Sequence, residues 1–189
     1  MTRRTLLPIA FCALLPQAAA IAEEASDIKV LFPEGRETCY ARDYTPEHLA
    51  SHPDQRVARM LLWSVVYPED VLADQPAGEF PFGIAVQLRS AAKWFWNTGM
   101  CRPEGDALSC YIECDGGGFA VERDDAASVL LRNREGFAVE SCGGGEDTAE
   151  PEELDGFRLE PGKDDKVFRL TRLTDAECAA ARAPFKFAE

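Results

Sequence analysis

The stretch that decides the fold runs from residue 82 to residue 89 and reads FGIAVQLR. Its large apolar side chains occupy every second position: Phe82, Ile84, Val86 and Leu88. Successive side chains of a β-strand point to opposite faces of the sheet, so this alternation predicts a half-buried strand. One apolar face and one more polar face are typical of antiparallel sheets.

Strand-like runs flank this stretch on both sides. Upstream, residues 57–66 are almost continuously apolar, which predicts a strand covered on both faces. Downstream, turn residues separate short β-forming runs at spacings of about 8 to 12 residues. The downstream runs are 93–101, 108–114, 119–123, 128–133, 137–142 and, near the end, 167–173. We therefore predict an all-β, mainly antiparallel fold, either a small barrel or a sandwich.

A short helix is predicted near each end of the domain. Thr45 is a helix cap followed by Pro46, which suits the first helical position, and Pro53 ends the pattern. Thr174 and Glu177 have the spacing of a capping box, which predicts a terminal helix that stops at Pro184.

The first 22 residues have the pattern of a secretory signal peptide. Arg3 and Arg4 precede an apolar run over 6–15, and Ala20-Ile21-Ala22 fits a small-residue cleavage site. We predict cleavage after Ala22, leaving residues 23–189 as one β-rich domain in the periplasm or outside the cell. The apolar run is too short for a membrane span, and no membrane span is predicted in the later sequence.

Six cysteines follow the predicted signal peptide: Cys39, Cys101, Cys110, Cys114, Cys142 and Cys178. An even number in an exported chain predicts three disulfides. The turn-forming residues 102–106 favour a Cys101–Cys110 bridge across a hairpin. A continuous meander would place Cys114 and Cys142 at opposite ends of the sheet. Under that scheme, Cys39 and Cys178 each bond to one of these two cysteines.

The charge distribution excludes one class of partner. The formal net charge is −13, with 33 acidic and 20 basic residues, so nucleic acid is not a predicted partner. Residues 143–156 contain no basic side chain, and we predict a solvated, mobile acidic loop. Such a loop suits attraction of a cationic protein or weak calcium binding, but it lacks the ligand pattern of an EF-hand. Simple solvation is the favoured interpretation.

Two residue pairs are candidate binding sites. His48 and His52 are four residues apart on the predicted first helix, so both imidazoles face one side and are candidate metal ligands. Two ligands are too few for a defined site, and a surface histidine pair is the favoured interpretation. Trp94 and Trp96 share one face of their strand and are candidate ligand-binding residues. Packing against the core is the favoured interpretation, because Met100 continues the same face.

Catalysis has little support in the sequence. No G-x-S-x-G elbow, H-E-x-x-H pair or phosphate-binding glycine loop is present, and we predict neither catalytic residues nor a cofactor. A hydrolase that uses two carboxylates remains an alternative, because acidic residues are plentiful. A cleft with two carboxyl groups about 5 to 9 Å apart and a wall of exposed indoles would support it.

One segment carries a resemblance. Residues 39–57 read CYARDYTPEHLASHPDQRV, about a tenth of the chain. This segment resembles one in an uncharacterised family of small exported bacterial proteins. The resemblance implies no activity. It implies that the helix and its His-Pro segment form a structural module before the first long strand.

Together these features favour a disulfide-stabilised, exported, non-catalytic binding protein. Its expected partner is another envelope protein or a small ligand. A metal-binding protein that uses His48 and His52 is the first alternative, and a carboxylate-dependent hydrolase is the second.

Overall fold

A computed structural model describes residues 30–66, 78–139 and 156–185. These residues form ten strands and two helices. In chain order the elements are β1 (Cys39–Asp43), α1 (Pro46–Ser51), β2 (Val57–Ser64), β3 (Phe80–Leu88), β4 (Trp94–Glu104), β5 (Ala107–Tyr111), β6 (Gly118–Arg123), β7 (Ser128–Arg132), β8 (Phe137–Val139), β9 (Phe157–Leu159), β10 (Val167–Arg172) and α2 (Asp175–Arg182).

Eight of the strands form a closed antiparallel barrel in the order β1-β10-β7-β6-β5-β4-β3-β2. Each strand from β1 to β6 pairs with the next along the chain, and β10 pairs with both β7 and β1. The closing seam matches Tyr40 with Arg172 and Ala41 with Thr171. The predicted all-β antiparallel fold is confirmed, and it is a barrel.

The alternation that predicted β3 determines which side chains enter the barrel. Phe82, Ile84 and Val86 point inward and are fully buried. The adjacent β2 is buried on both faces, as its continuous apolar run predicted. Met60 and Leu62 belong to the interior cluster, whereas the intervening positions belong to a second apolar cluster. This second cluster lies on the outside of the barrel.

Apolar side chains cover both ends of the barrel. At one end Phe32 packs on Tyr40 and Phe80, with ring centroids 5.3 and 5.5 Å apart, and the Tyr40 hydroxyl donates to the Leu31 carbonyl. At the other end β8 and β9 form a separate two-stranded sheet. Phe137 of β8 is fully buried and belongs to the interior cluster. The interior is therefore a packed core.

The outer cluster joins the C-terminal segment to β2, β3 and β4. Trp63 lies across β3, where its partner in the register is Gly83. A Cβ atom at Gly83 would lie 2.0 Å from Cζ2 of Trp63. Phe185 stacks on Trp63 from the outside, with centroids 5.4 Å apart and an interplanar angle of 22°. Glycine is needed at position 83 because the indole occupies the space of a side chain.

Both helices begin at the predicted caps. Thr45 accepts a hydrogen bond from the His48 backbone N–H, and Pro46 is the first residue of α1. Thr174 and Glu177 form the full capping box of α2, and their hydrogen bonds lower the pKa of Glu177, with the Thr174 side chain as the largest cause. Among the described residues, no helix has the length and apolarity that crossing a membrane requires.

Two disulfides connect described residues. Cys101 and Cys110 are direct partners in the β4–β5 register and form the predicted hairpin bridge. Cys39 bonds to Cys178. The scheme that linked Cys39 and Cys178 to Cys114 and Cys142 is therefore wrong. It omitted β1 and the barrel closure, which bring the start of β1 and the helix after β10 together.

The meander also ends earlier than predicted. Gly136 has a φ of +81°, as expected for the turn after β7, but β8 does not return along β7. β8 pairs with β9 instead, and β10 takes the place beside β7. The strand ending near Cys114 was also predicted too long, since β5 ends at Tyr111. β1 and β9 were not predicted as strands.

Some predictions fall outside the described residues. These are the signal peptide at 1–22, Cys142, and the acidic segment 143–156 apart from Gly156. The third disulfide and the mobile loop therefore remain predictions.

We expect Gly83→Ala to destabilise the barrel by about 1–3 kcal/mol or more, because the new methyl group overlaps the Trp63 indole. Urea unfolding followed by tryptophan fluorescence measures this loss. Gly162→Ala is the matched control, since its new Cβ would meet its nearest neighbour at 3.9 Å. Equal stability of the two variants would contradict the packing role of Gly83.

The two disulfides should differ in their contribution to stability. The Cys39–Cys178 bridge spans a sequence separation of 139 residues and the Cys101–Cys110 bridge one of 9. In the chain-entropy estimate the longer loop contributes about 5 kcal/mol and the shorter about 3 kcal/mol. We expect Cys39→Ala/Cys178→Ala to lower the free energy of unfolding more than Cys101→Ala/Cys110→Ala. The reverse order in urea titrations would refute this.

Candidate functional site

Two cavities share lining residues on the outer surface of β5, β6 and β7. One has a volume of about 740 Å³ and the other about 440 Å³. Glu122 and Arg134 line both, so the two cavities adjoin. We call the pair of cavities the outer groove. It is bounded by β5, β6, β7, the segment after β7 and the start of β10.

Small side chains form the floor of the outer groove. Ser109 of β5 lies opposite Ala120 of β6, and Ala107 lies opposite Glu122. Cross-strand partners in an antiparallel pair project from the same face, so these side chains lie together on the outside of the barrel. Because Ala107, Ser109 and Ala120 are small, open space remains between the longer side chains around them.

Charged side chains of opposite sign occupy different parts of the groove. Carboxylates line the smaller cavity, at Glu104, Asp106 and Glu135 as well as Glu122. Cations line the larger cavity: Arg132, Arg134 and Lys166. In a chain with many more acidic than basic residues, three cations around one cavity are a local exception.

Glu122 lies between the two regions and orients the arginines. Its Oε2 accepts a hydrogen bond from Arg132 Nε at 2.6 Å, and its Oε1 lies 3.5 Å from an Arg134 terminal nitrogen. The Glu122 and Arg132 side chains are 28% and 34% exposed, whereas Arg134 is 71% exposed. Ion pairs at this exposure contribute little to stability, so the main effect is to fix the Arg132 guanidinium.

Trp94 and Trp96 lie outside both cavities. They point outward from β4 and are half-buried in the outer cluster beside Phe185, with ring centroids 5.7 and 6.2 Å from it. The Arg59 guanidinium lies 5.0 Å from the Trp94 ring. In this arrangement the two indoles pack against the C-terminal segment, which agrees with a packing role. Their role in ligand binding remains a prediction of the sequence.

His48 and His52 stack on each other at the other candidate site. Their ring centroids are 4.1 Å apart with an interplanar angle of 16°. His48 Nε2 donates to Gln55 Oε1 at 3.0 Å, and His52 Nδ1 donates to the His48 carbonyl at 2.9 Å. An imidazole lone pair lies in the plane of its ring, so two parallel rings do not converge on one ion.

Metal binding by this pair is still a hypothesis. In the described ranges, no group of three or more His, Cys, Asp or Glu side chains is close enough to hold a metal ion. Asp54, an acidic residue two positions after His52, forms an ion pair with Lys163 at 3.1 Å. The observed contacts give the histidines a packing role beside Tyr44, whose ring stacks on His48 at 4.7 Å.

Tyr44 beside His48 has a strongly raised pKa. Burial raises its pKa to about 12, and the negative charge of Asp165 adds to the rise while Arg42 opposes it. Asp165 is fully buried and accepts hydrogen bonds from the Arg56 backbone N–H. These contacts join the segment before β10 to the start of β2, at the end of the barrel that carries α1.

The Tyr44 pKa predicts a loss of stability at high pH. The unfolded chain releases this proton near its ordinary pKa of about 10, whereas the folded chain keeps it until about 12. The free energy of unfolding should therefore fall by about 2 kcal/mol as the pH rises through this window. Tyr44→Phe should remove that part of the decline. Urea titrations between about pH 9 and about pH 11.5 test this, and an unchanged slope would contradict it.

The residues that form the outer groove were not predicted as a site. The alternation along β6 and β7 indicates that Glu122 and Arg132 share the outer face. This alternation is the only signal in the sequence that points to the groove. Lys166 approaches them because its carbonyl accepts a hydrogen bond from the Asn133 backbone N–H at 2.8 Å. That contact depends on the β7–β10 pairing, which residues far apart in the chain create.

The fold and the groove together define a disulfide-bonded eight-stranded β-barrel with a charged outer depression. Comparisons with protein families, with curated proteins and with solved structures find no match to this chain. The resemblance of residues 39–57 to small exported bacterial proteins therefore remains a prediction.

Proposed function

We propose that the protein is exported and acts, in the periplasm or outside the cell, as a non-catalytic binding or interaction protein. Its outer groove is the surface that receives a ligand or a segment of another envelope protein. The observation that carries this proposal is the pair of adjoining depressions on β5, β6 and β7, with their small-residue floor and their regions of opposite charge.

Disulfide chemistry supports the location. Two bonded cysteine pairs indicate a compartment other than the reducing cytoplasm. The choice of periplasm or extracellular medium comes from the predicted signal peptide at 1–22 and belongs to the proposal. Both bridges connect buried cysteines, so they form part of the folded scaffold.

The packing of the barrel supports binding on its outer face. Eight-stranded barrels have an interior just wide enough to fill with side chains or to hold one small ligand. Here Phe82, Phe95 and Phe119 occupy the interior, and Phe32 and Phe137 cover its two ends. The described cavities of about 740 and 440 Å³ are open depressions on the outside.

The same geometry ranks the two alternatives lower. The stacked histidines do not direct two nitrogens at one ion, and among the described residues no group of three or more possible ligands surrounds them. A carboxylate-dependent hydrolase was expected to combine paired carboxyl groups with exposed indoles in one cleft. Carboxylates line the smaller cavity, but Trp94 and Trp96 lie elsewhere, against Phe185.

Site-specific photo-crosslinking in cells that make the full chain tests the proposal. A photoreactive residue replaces Ala120 on the groove floor, and the matched control carries it at Ala50, an exposed residue of α1. We expect an adduct of defined mass at position 120 but not at position 50. We also expect the purified protein to begin at Glu23. Absence of the adduct at 120, the same adduct at both positions, or an uncleaved cytoplasmic chain would refute the proposal.

A further inference from the structure

We propose that the larger cavity of the outer groove is an oxyanion-binding site for a small ligand that carries a carboxylate or phosphate on an apolar body. This inference rests on the proposed function and assigns the ligand chemistry of the same groove. The site is formed by Arg132, Arg134 and Lys166, with Val167 and Pro161 beside them.

Net charge is the first argument. The larger cavity is lined by three cations and one carboxylate, Glu122, so its local charge is positive although the chain as a whole is strongly negative. Acidic side chains elsewhere in the protein repel anions from most of the surface. The larger cavity is therefore the part of the described groove where the electrostatic potential attracts an anion.

Free hydrogen-bond donors are the second argument. Arg132 contacts Glu122 through Nε, and within the described residues its two terminal nitrogens donate to no other group. The Lys166 ammonium forms no ion pair with any residue in the described ranges, although it lies beside this cavity. A planar guanidinium presents a pair of N–H groups that matches two oxygens of a carboxylate or phosphate.

Rigid support is the third argument. Asn133 lies between the two arginines and is 1% exposed. Its side-chain amide donates to the carbonyls of Leu159 and Asp165, and its side-chain oxygen accepts from the Gly136 N–H. The backbone that carries the cations is therefore held in place before any ligand arrives, which lowers the entropic cost of binding.

The apolar side chains define the rest of the ligand. Val167 is the register partner of Arg132 and is 43% exposed, an unusual exposure for a valine in this barrel. Pro161 lines the same cavity. A ligand with an aromatic or short alkyl body can cover these two side chains while its oxyanion contacts the cations. Inorganic phosphate lacks that body and should bind more weakly.

Nuclear magnetic resonance titration of the full mature protein tests the site with three probes: phenyl phosphate, benzoate and inorganic phosphate. We expect saturable shifts of the backbone amides at positions 132–134 and 166–167 with phenyl phosphate or benzoate. We expect the affinity to fall as salt is added. The stronger of these two probes distinguishes a phosphate-bearing ligand from a carboxylate-bearing one. Absence of saturation with both would overturn the proposal.

Charge variants give the decisive comparison. Arg134→Gln/Lys166→Gln should weaken binding of the stronger probe about tenfold or more, since each removed contact is charge-assisted. Glu122→Gln keeps the shape of the site and removes its negative charge, so it should tighten binding. Lys163→Gln/Arg169→Gln removes two cations paired elsewhere and should leave the affinity unchanged. The same loss in this control, or no loss in the first variant, would refute the site.

The two proposals fail in different ways. A specific adduct at Ala120 together with no saturable anion binding would overturn the oxyanion site and leave the binding groove intact. Saturable anion binding with no adduct at Ala120 would support the site chemistry but remove the evidence that the groove meets a partner in cells.

Discussion

The pairing of β1 with β10 is the constraint on which the rest of the structure depends. It closes the sheet into a barrel and leaves no open edge among the eight barrel strands. The Cys39–Cys178 bridge holds the same seam, because Cys39 begins β1 and Cys178 lies on the helix that follows β10. Closure also fixes where α2 lies, and with it the aromatic contact between Phe185 and the outer face of β2.

Barrel closure and end coverage determine which surfaces remain for function. Aromatic residues fill the interior, and Phe32 and Phe137 cover the ends. Side chains therefore occupy the interior space that could hold a ligand in a wider barrel. The C-terminal segment covers the outer face of β2 to β4. In the part of the chain that the structure describes, no segment covers the small side chains on the outer face of β5 to β7, and the cavities lie there. The location of the groove thus follows from what the other faces bury.

Buried polar groups at one end of the barrel connect the fold to the groove. Asp165 accepts hydrogen bonds from the start of β2, and Asn133 binds carbonyls of β9 and of Asp165 itself. Buried polar groups are stable only when they are paired, so each contact fixes the segments that it joins. The Asn133 backbone N–H also donates to the Lys166 carbonyl, and Arg132 and Lys166 line the same cavity. Structural integrity and the charge arrangement of the candidate site therefore share one network.

The sequence by itself determined the strands with clear alternation, both helix caps and the Cys101–Cys110 bridge, because these features depend on neighbouring residues. β1 escaped prediction because its residues, CYARD, show no apolar alternation. β9 escaped because its three residues, FRL, stand alone between polar segments and are too few for a periodicity to show. Only the tertiary structure decided the Cys39–Cys178 pairing, the position of β8 outside the barrel, and the meeting of Glu122, Arg134 and Lys166. Those outcomes depend on which distant segments pair. The local sequence does not distinguish between the possible pairings, and closure of the barrel selects one of them.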